Sequence, residues 1–172
     1  MSFDAYLRVG ELTRLRTEDV ADVGDNRLDG TTQLMALRLA KTKTGSNQWA
    51  EVRRSQVQEL VRVLLESTKQ GSRLFPFTTS SFRYHFKNAC HGLPDYVPHS
   101  LRHGGATHDF LVGVGLEEIL RRGRWASTAS ARHYIQAGRA LLLTLRVPDG
   151  LIKAGKALAK DLPLSLSLAQ KH

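Results

Sequence analysis

The sequence is poor in cysteine, in long apolar runs and in acidic residues, and each shortage excludes a class of protein. The single cysteine, Cys90, cannot form an internal disulfide, so we expect a reducing compartment and a buried, hydrophobe-like thiol. No run approaches the roughly 18 apolar residues of a membrane span, and the N-terminal MSFDAYLR has no signal-peptide core. These absences predict an intracellular protein without a membrane partner, nuclear in a eukaryote and otherwise cytoplasmic.

The shortage of acidic residues indicates the kind of partner. Lys and Arg total 25 against 16 Asp and Glu, which gives a net charge of +9. Such a balance favours a polyanion, because each phosphate contact releases condensed counterions. Membrane-surface binding would need a basic amphipathic helix, for which residues 151–160 are only a weak candidate. With 172 residues, the chain is expected to form one domain that binds nucleic acid.

The residue patterns predict a mainly α fold with a small antiparallel β-hairpin or sheet. Strands are predicted at 33–40 and 48–53 around a Lys-Thr-Gly-Ser-Asn turn, after an Asp/Gly/Asn-rich turn at 22–32. Ser55 and Gln58 form a capping-box pattern that begins a helix. The tail is expected to add one or two amphipathic turns and then mobile, Ser/Leu-rich sequence. Other helices are predicted at 7–15, 80–89, 99–112, 116–122 and 127–143.

Several polar residues are of the types needed to cleave a phosphodiester. The reaction requires a nucleophile, positive charge on the non-bridging oxygens and a proton for the leaving oxygen. Arg8 and Arg102, from distant segments, could hold two phosphate oxygens with their planar forks. Lys43, in the predicted turn, could protonate the leaving group, and His99 could take a proton. Tyr134 would supply the nucleophilic oxygen.

Each of these residues also has an ordinary structural interpretation. Arg8 could simply pair with Glu11, three residues later on a helix. Lys41 competes with the turn lysine, and Tyr96 is nearer to the histidine in sequence than the later tyrosine is. A lone tryptophan such as Trp125 is usually part of a core. The order and spacing of the groups together, rather than any one of them, favour the catalytic interpretation.

Two other constellations can be assembled from the same region. His99 and His103 are four residues apart, which suits zinc on a helix, but an intervening glutamate and a clear third ligand are missing. Ser100, His108 and Asp109 could be combined into a hydrolase triad, but the sequence has no Gly-x-Ser-x-Gly nucleophile elbow. Neither constellation is favoured.

The motifs resemble the catalytic domain of tyrosine recombinases, the phage-integrase-like family, over about residues 5–140. The matching segments are LRVGEL at 7–12 with its arginine and glutamate, Lys43 in a Lys-Thr-Gly turn, HSLRH at 99–103, GRW at 123–125, and Tyr134 nine residues after Trp125. The run RRGRW at 121–125 also resembles members found in eukaryotic mobile elements. The resemblance implies an integrase-like catalytic domain of DNA breaking-rejoining enzymes.

By this resemblance, Tyr134 attacks a DNA phosphate, forms a 3′-phosphotyrosyl link and frees a 5′-hydroxyl. The other implied roles are phosphate binding by two arginines, proton donation by a lysine, proton transfer by a histidine, and hydrogen bonding or packing by a tryptophan: Arg8, Arg102, Lys43, His99 and Trp125. No metal or nucleotide cofactor is implied, because the bond energy is kept in the phosphotyrosine. The alternatives are a type IB topoisomerase-like relaxing enzyme and a non-catalytic, truncated DNA-binding module.

The resemblance also implies a domain organisation and partners. Residues 1–147 would be the catalytic domain, without the N-terminal DNA clamp that family members carry, since only seven residues precede Arg8. Residues 148–172 would be a C-terminal tail that could be exchanged between protomers. Double-stranded DNA and self-association on DNA are the expected partners. Basic groups expected to contact DNA are Arg53, Arg54, Arg83, Lys87, Arg121, Arg122, Arg124 and Arg132.

Overall fold

A computed structural model describes residues 1–22, 34–42, 45–93 and 96–169, which form helices around one small sheet. The described helices are α1 (Val9–Leu12), α2 (Ser55–Ser67), α3 (Thr79–Ala89), α4 (Pro98–Leu111), α5 (Leu116–Gly123), α6 (Thr128–Tyr134), α7 (Ala137–Thr144) and α8 (Asp149–Ala169). The described strands are β1 (Val20–Ala21), β2 (Met35–Thr42) and β3 (Gly45–Val52), and a 3₁₀ turn covers Thr17–Asp19. The predicted mainly α fold with a small antiparallel sheet is confirmed.

The sheet has the order β1-β2-β3 and is antiparallel throughout, with Leu37 opposite both Val20 and Ala50. Alternate β2 residues, including Met35 and Leu37, are buried, as expected for a sheet with one face on the core. β2 has the predicted length but lies two residues later, β3 is two residues longer than predicted, and β1 was not predicted. The predicted turn at 22–32 lies outside the described residues apart from Asp22.

Two apolar clusters form the core. The larger packs the sheet against α2 and the N-terminal segment, and the smaller is formed by Tyr6, Ala106 and Ile119 with half-buried neighbours. Ala5 and Leu7 belong to the first cluster, whereas Tyr6 between them belongs to the second. The N-terminal segment therefore packs into both clusters.

The predicted single helix at 127–143 is wrong, because the chain divides it into α6 and α7. The break falls at residues 135–136, directly after Tyr134. The Thr107 hydroxyl donates to the Tyr134 carbonyl at 3.2 Å and accepts from the Gln136 N–H at 3.0 Å. A side chain from another helix thus satisfies backbone groups that a continuous helix would have paired internally.

Helix ends also differ from the predictions. The capping box at Ser55 and Gln58 is wrong: Ser55 already lies inside α2, and the Gln58 side-chain amide donates to the Val52 carbonyl at 2.9 Å. A side-chain cap does form on α3, where the Thr78 hydroxyl accepts from the Ser81 N–H at 3.1 Å. Cys90, which ends α3, is half-buried rather than buried.

The first and last helices have lengths that the sequence did not predict. The helix expected at 7–15 is confined to α1, four residues long, and α8 extends over 21 residues instead of one or two turns. α8 begins after Pro148 and packs beside α2 of the same chain. Across the described part of the chain, no helix combines the length and apolar character that crossing a membrane requires.

Candidate active site

Three arginines converge on the buried carboxylate of Glu11. Arg8, at the start of α1, donates from Nη1 to Oε1 at 2.8 Å and from its backbone N–H to Oε2 at 2.9 Å. Arg124, just after α5, donates from Nη2 to Oε2 at 3.1 Å, and Arg102 Nη1 lies 3.9 Å from the same oxygen. Three guanidinium groups against one carboxylate leave a surplus of positive charge, which suits an anionic ligand.

Arg102 is enclosed by protein. Its side chain has no exposed surface; Nη1 donates to the Tyr6 carbonyl, and Nη2 donates to the Gly123 carbonyl at 2.5 Å. Burial, together with the nearby charges of Arg8 and Arg124, lowers the pKa of Arg102 to about 10. The guanidinium stays protonated at neutral pH and is held rigidly between two backbone carbonyls.

The ring of Tyr134 lies within an aromatic group over this guanidinium. It stacks on His103 with centroids 4.5 Å apart, meets His99 edge-on at 5.4 Å and packs on Trp125 at 4.7 Å. The Arg102 guanidinium carbon lies 4.9 Å from the Trp125 ring and 5.5 Å from the Tyr134 ring, both cation–π contacts. The two rings therefore cover the buried arginine.

Both histidines beside the tyrosine have a lowered pKa. Burial is the main cause in each case; Coulombic repulsion from His103 and Arg102 adds to it for His99. For His103, a backbone hydrogen bond involving Tyr134 opposes the effect, and the charges of His133 and Arg102 reinforce it. A neutral imidazole at physiological pH can accept a proton from a phenol.

Several buried N–H donors at this place have no partner among the described residues. They are Arg102 Nε, Arg124 Nε and the indole Nε1 of Trp125; the His103 Nδ1 atom is buried and unpaired as well. Gly123 allows the close packing of this group, since a Cβ there would lie 1.9 Å from the Trp125 ring. Unpaired buried donors are costly, so their concentration in one place is typical of a site that pairs them with a ligand.

A second buried hydrogen-bond network is linked to the site through Tyr6. The Tyr6 hydroxyl donates to Asp109 Oδ2 at 2.5 Å, Arg122 donates to the same carboxylate, and Arg122 Nη2 donates to the Asp4 carbonyl at 2.6 Å. Burial and the Asp109 hydrogen bond raise the pKa of Tyr6. The prediction that Arg122 contacts DNA is wrong, because Arg122 is buried in this network.

Other basic groups expected on the DNA surface are already paired. Arg53 and Arg121 both bind Glu51 and Glu118; for example, Arg121 Nη1 lies 2.6 Å from Glu51. Hydrogen bonds from Arg121, and then Arg53, hold the pKa of Glu118 at about 2. Arg54 lies over the Phe3 ring. Among the expected DNA contacts, Arg83, Lys87 and Arg132 are exposed, and Arg121 is exposed as well but bound to the two glutamates.

Five of the six predicted site residues therefore lie together: Arg8, His99, Arg102, Trp125 and Tyr134. The sixth, Lys43, lies outside the described residues. Arg124 was predicted only as a DNA contact, yet it joins the arginine cluster. His103 was included in the motif without a role; its four-residue spacing from His99 was the available signal.

The competing constellations do not assemble. Ser100 and His108 are eight residues apart on α4, a rise of about 12 Å, and Asp109 is bound to Tyr6 and Arg122. In the described ranges, no group of three or more His, Cys, Asp or Glu side chains is placed to hold a metal ion.

Tyr96, the alternative candidate for the nucleophile, lines a cavity of about 620 Å³ with Phe3 and Leu143 among others.

The helices and their small sheet form a tyrosine recombinase-like fold. Among 16 chains of solved structures that match is XerA recombinase, with a TM-score of 0.62 and 19% sequence identity. The match covers 86% of this chain and 56% of that chain, so this chain spans little more than half the length of that recombinase. No family model and no curated protein sequence matches. At this identity the likeness concerns the fold.

Proposed function

We propose that the protein is a DNA strand transferase of the tyrosine recombinase type, which cleaves and rejoins DNA through a 3′-phosphotyrosyl intermediate. The observation that carries the proposal is the packing of the Tyr134 ring against the Arg102 guanidinium and the two histidines. A nucleophile, fixed positive charge and a proton acceptor then occur within one site. That combination performs phosphoryl transfer by positioning and electrostatics.

In the proposed reaction, the Tyr134 phenol oxygen attacks the DNA phosphorus while the bond from phosphorus to the 5′ oxygen breaks. The phenol proton passes to the neutral His99 imidazole, and the departing oxygen receives a proton from Lys43, leaving a 5′-hydroxyl. Attack of a 5′-hydroxyl on the phosphotyrosine reverses each transfer and rejoins the strand. The phosphodiester bond energy is conserved in both directions.

The buried arginine defines what must happen when DNA binds. Arg8 keeps 22% of its side chain exposed and can meet a phosphate first, whereas Arg102 lies under two aromatic rings. A phosphate therefore reaches Arg102 only after the Trp125 and Tyr134 rings move aside. The unpaired Trp125 N–H then becomes a donor to a phosphate oxygen. One such donor contributes about 10²–10³-fold in rate.

Binding to double-stranded DNA is proposed to use the exposed basic residues Arg83 and Lys87 on α3 and Arg132 on α6. We further propose that residues 1–147 form the catalytic domain and that residues 148–172 are a tail exchanged between protomers on DNA. Exchange requires α8 to leave its position beside α2 of its own chain.

The test uses a nicked duplex in which cleavage traps the covalent complex, compared among wild type, Tyr134→Phe and Tyr96→Phe on a denaturing gel. The wild type and Tyr96→Phe should form a protein–DNA adduct, and Tyr134→Phe should form none. If the wild type forms no adduct but still binds DNA in a salt-sensitive manner, the enzyme proposal fails and a non-catalytic binding module is favoured. Plasmid relaxation without strand exchange would indicate topoisomerase-like activity.

A further inference from the structure

One face of α4 contacts Tyr134 at three successive turns. His99, His103 and Thr107 are spaced four residues apart, so they lie on the same side of the helix. The two histidine rings contact the tyrosine ring, and the Thr107 hydroxyl contacts the tyrosine backbone. A single helix thus holds both the side chain and the main chain of this residue.

Thr107 acts at the point where the chain would otherwise be free to move. Tyr134 is the last residue of α6, and α7 begins three residues later. In an uninterrupted helix, the Tyr134 carbonyl and the Gln136 N–H would each bond within the helix. Here the Thr107 hydroxyl binds both groups, at 3.2 Å and 3.0 Å, and only 3% of the residue is exposed.

We propose that Thr107 is a positioning residue, whose hydroxyl fixes the main chain at the α6–α7 break and thereby keeps the Tyr134 ring within reach of the phosphate. The ring can still turn about its own side-chain bonds when DNA displaces it from Arg102. The Tyr134 backbone, from which the ring extends, stays fixed. The catalytic part of this inference rests on the proposed function, whereas the structural part can be measured without DNA.

Thr107→Val removes both hydrogen bonds with little change in volume, and Thr107→Ser keeps the hydroxyl. The matched control is Thr17→Val, because the buried Thr17 hydroxyl also accepts a backbone N–H, that of Gly71 at 2.8 Å, in the loop after α2. Thr107→Val should slow single-turnover adduct formation about ten- to hundredfold at unchanged DNA affinity, as expected for a misplaced nucleophile. Thr107→Ser and Thr17→Val should stay within about threefold of wild type, since the nucleophile keeps its position.

Hydrogen exchange of the peptide spanning 131–140 provides the readout that is independent of activity. Thr107→Val should raise exchange at Gln136 about tenfold or more, because its N–H loses its acceptor, and Thr107→Ser should not. Unchanged exchange in Thr107→Val, or loss of cleavage in Thr107→Ser as large as in Thr107→Val, would overturn the inference. So would wild-type cleavage by Thr107→Val. A wild type that forms no adduct defeats the proposed function, while the exchange result still decides whether Thr107 fixes the break.

Discussion

The substitution Glu11→Gln removes the carboxylate that Arg8, Arg102 and Arg124 share. Glu11 is 5% exposed and accepts three hydrogen bonds of 3.1 Å or less, two from Arg8 and one from Arg124. Hydrogen bonds to charged groups contribute about 1.5–3 kcal/mol each, and breaking a buried ion pair costs about 3–5 kcal/mol. Such contributions do not add fully, and Arg8 is partly solvated. We therefore expect a loss of about 3 kcal/mol in the free energy of unfolding.

Urea unfolding of the wild type, Glu11→Gln and the control Glu66→Gln measures this loss. Glu66 is exposed on α2, so its substitution should change the free energy of unfolding by less than about 0.5 kcal/mol. In a protein of this size, a loss of about 3 kcal/mol corresponds to a melting temperature roughly 6–12 °C lower. A loss below about 1 kcal/mol for Glu11→Gln would refute the claim that this carboxylate holds the arginines together.

Three further predictions follow from the buried groups. Because the pKa values of His99 and His103 are lowered in the folded protein, the unfolded chain binds more protons as the pH falls through about 6.5. The free energy of unfolding should therefore be retained above that pH and decrease below it. Urea unfolding midpoints measured between pH 8 and pH 5 test this. If substitution of both histidines by glutamine left the change of the midpoint with pH unaltered, the prediction would be contradicted. Trp125→Phe should slow adduct formation about tenfold or more at unchanged DNA affinity, because it removes an unpaired indole N–H proposed to contact the phosphate; an unaltered rate would count against that contact. Arg122→Met should lower the free energy of unfolding by about 3–5 kcal/mol, because it leaves the largely buried Asp109 carboxylate without its cation. Adding Asp109→Asn should recover part of this loss in a double-mutant cycle. Fully additive losses would show that the two residues do not interact.

The fold class could be predicted from local patterns, and the grouping of the site from the order of the motifs along the chain. Helical periodicity located α3, α4 and α5, and a polar turn between apolar strands located the hairpin. The order and spacing of the motifs, through their resemblance to tyrosine recombinases, placed Arg8 and Arg102 in one site, although they are 94 positions apart. The contribution of Lys43 stays a prediction.

The features that the sequence did not reveal depend on contacts between distant segments. The break between α6 and α7 is stabilised by Thr107, and the nearest glycine, Gly138, lies inside α7 rather than at the break. Arg122 was treated as surface, like the adjacent Arg121. Its position three residues after the buried Ile119 places it on the inner face of α5, a signal that helical geometry could have supplied.

The position of Tyr6 has a consequence for how the arginine cluster is lost on heating. Its backbone carbonyl accepts hydrogen bonds from both Arg102 and Arg124, its ring stacks on Trp125, and its neighbours Ala5 and Leu7 belong to the other apolar cluster. Loosening of either cluster moves this one residue, and the arginines move with it. Partial melting of the N-terminal segment should therefore disrupt the arginine cluster before global unfolding begins. Heat-sensitive variants are expected to arise from substitutions in either cluster, including the larger one that packs on the sheet.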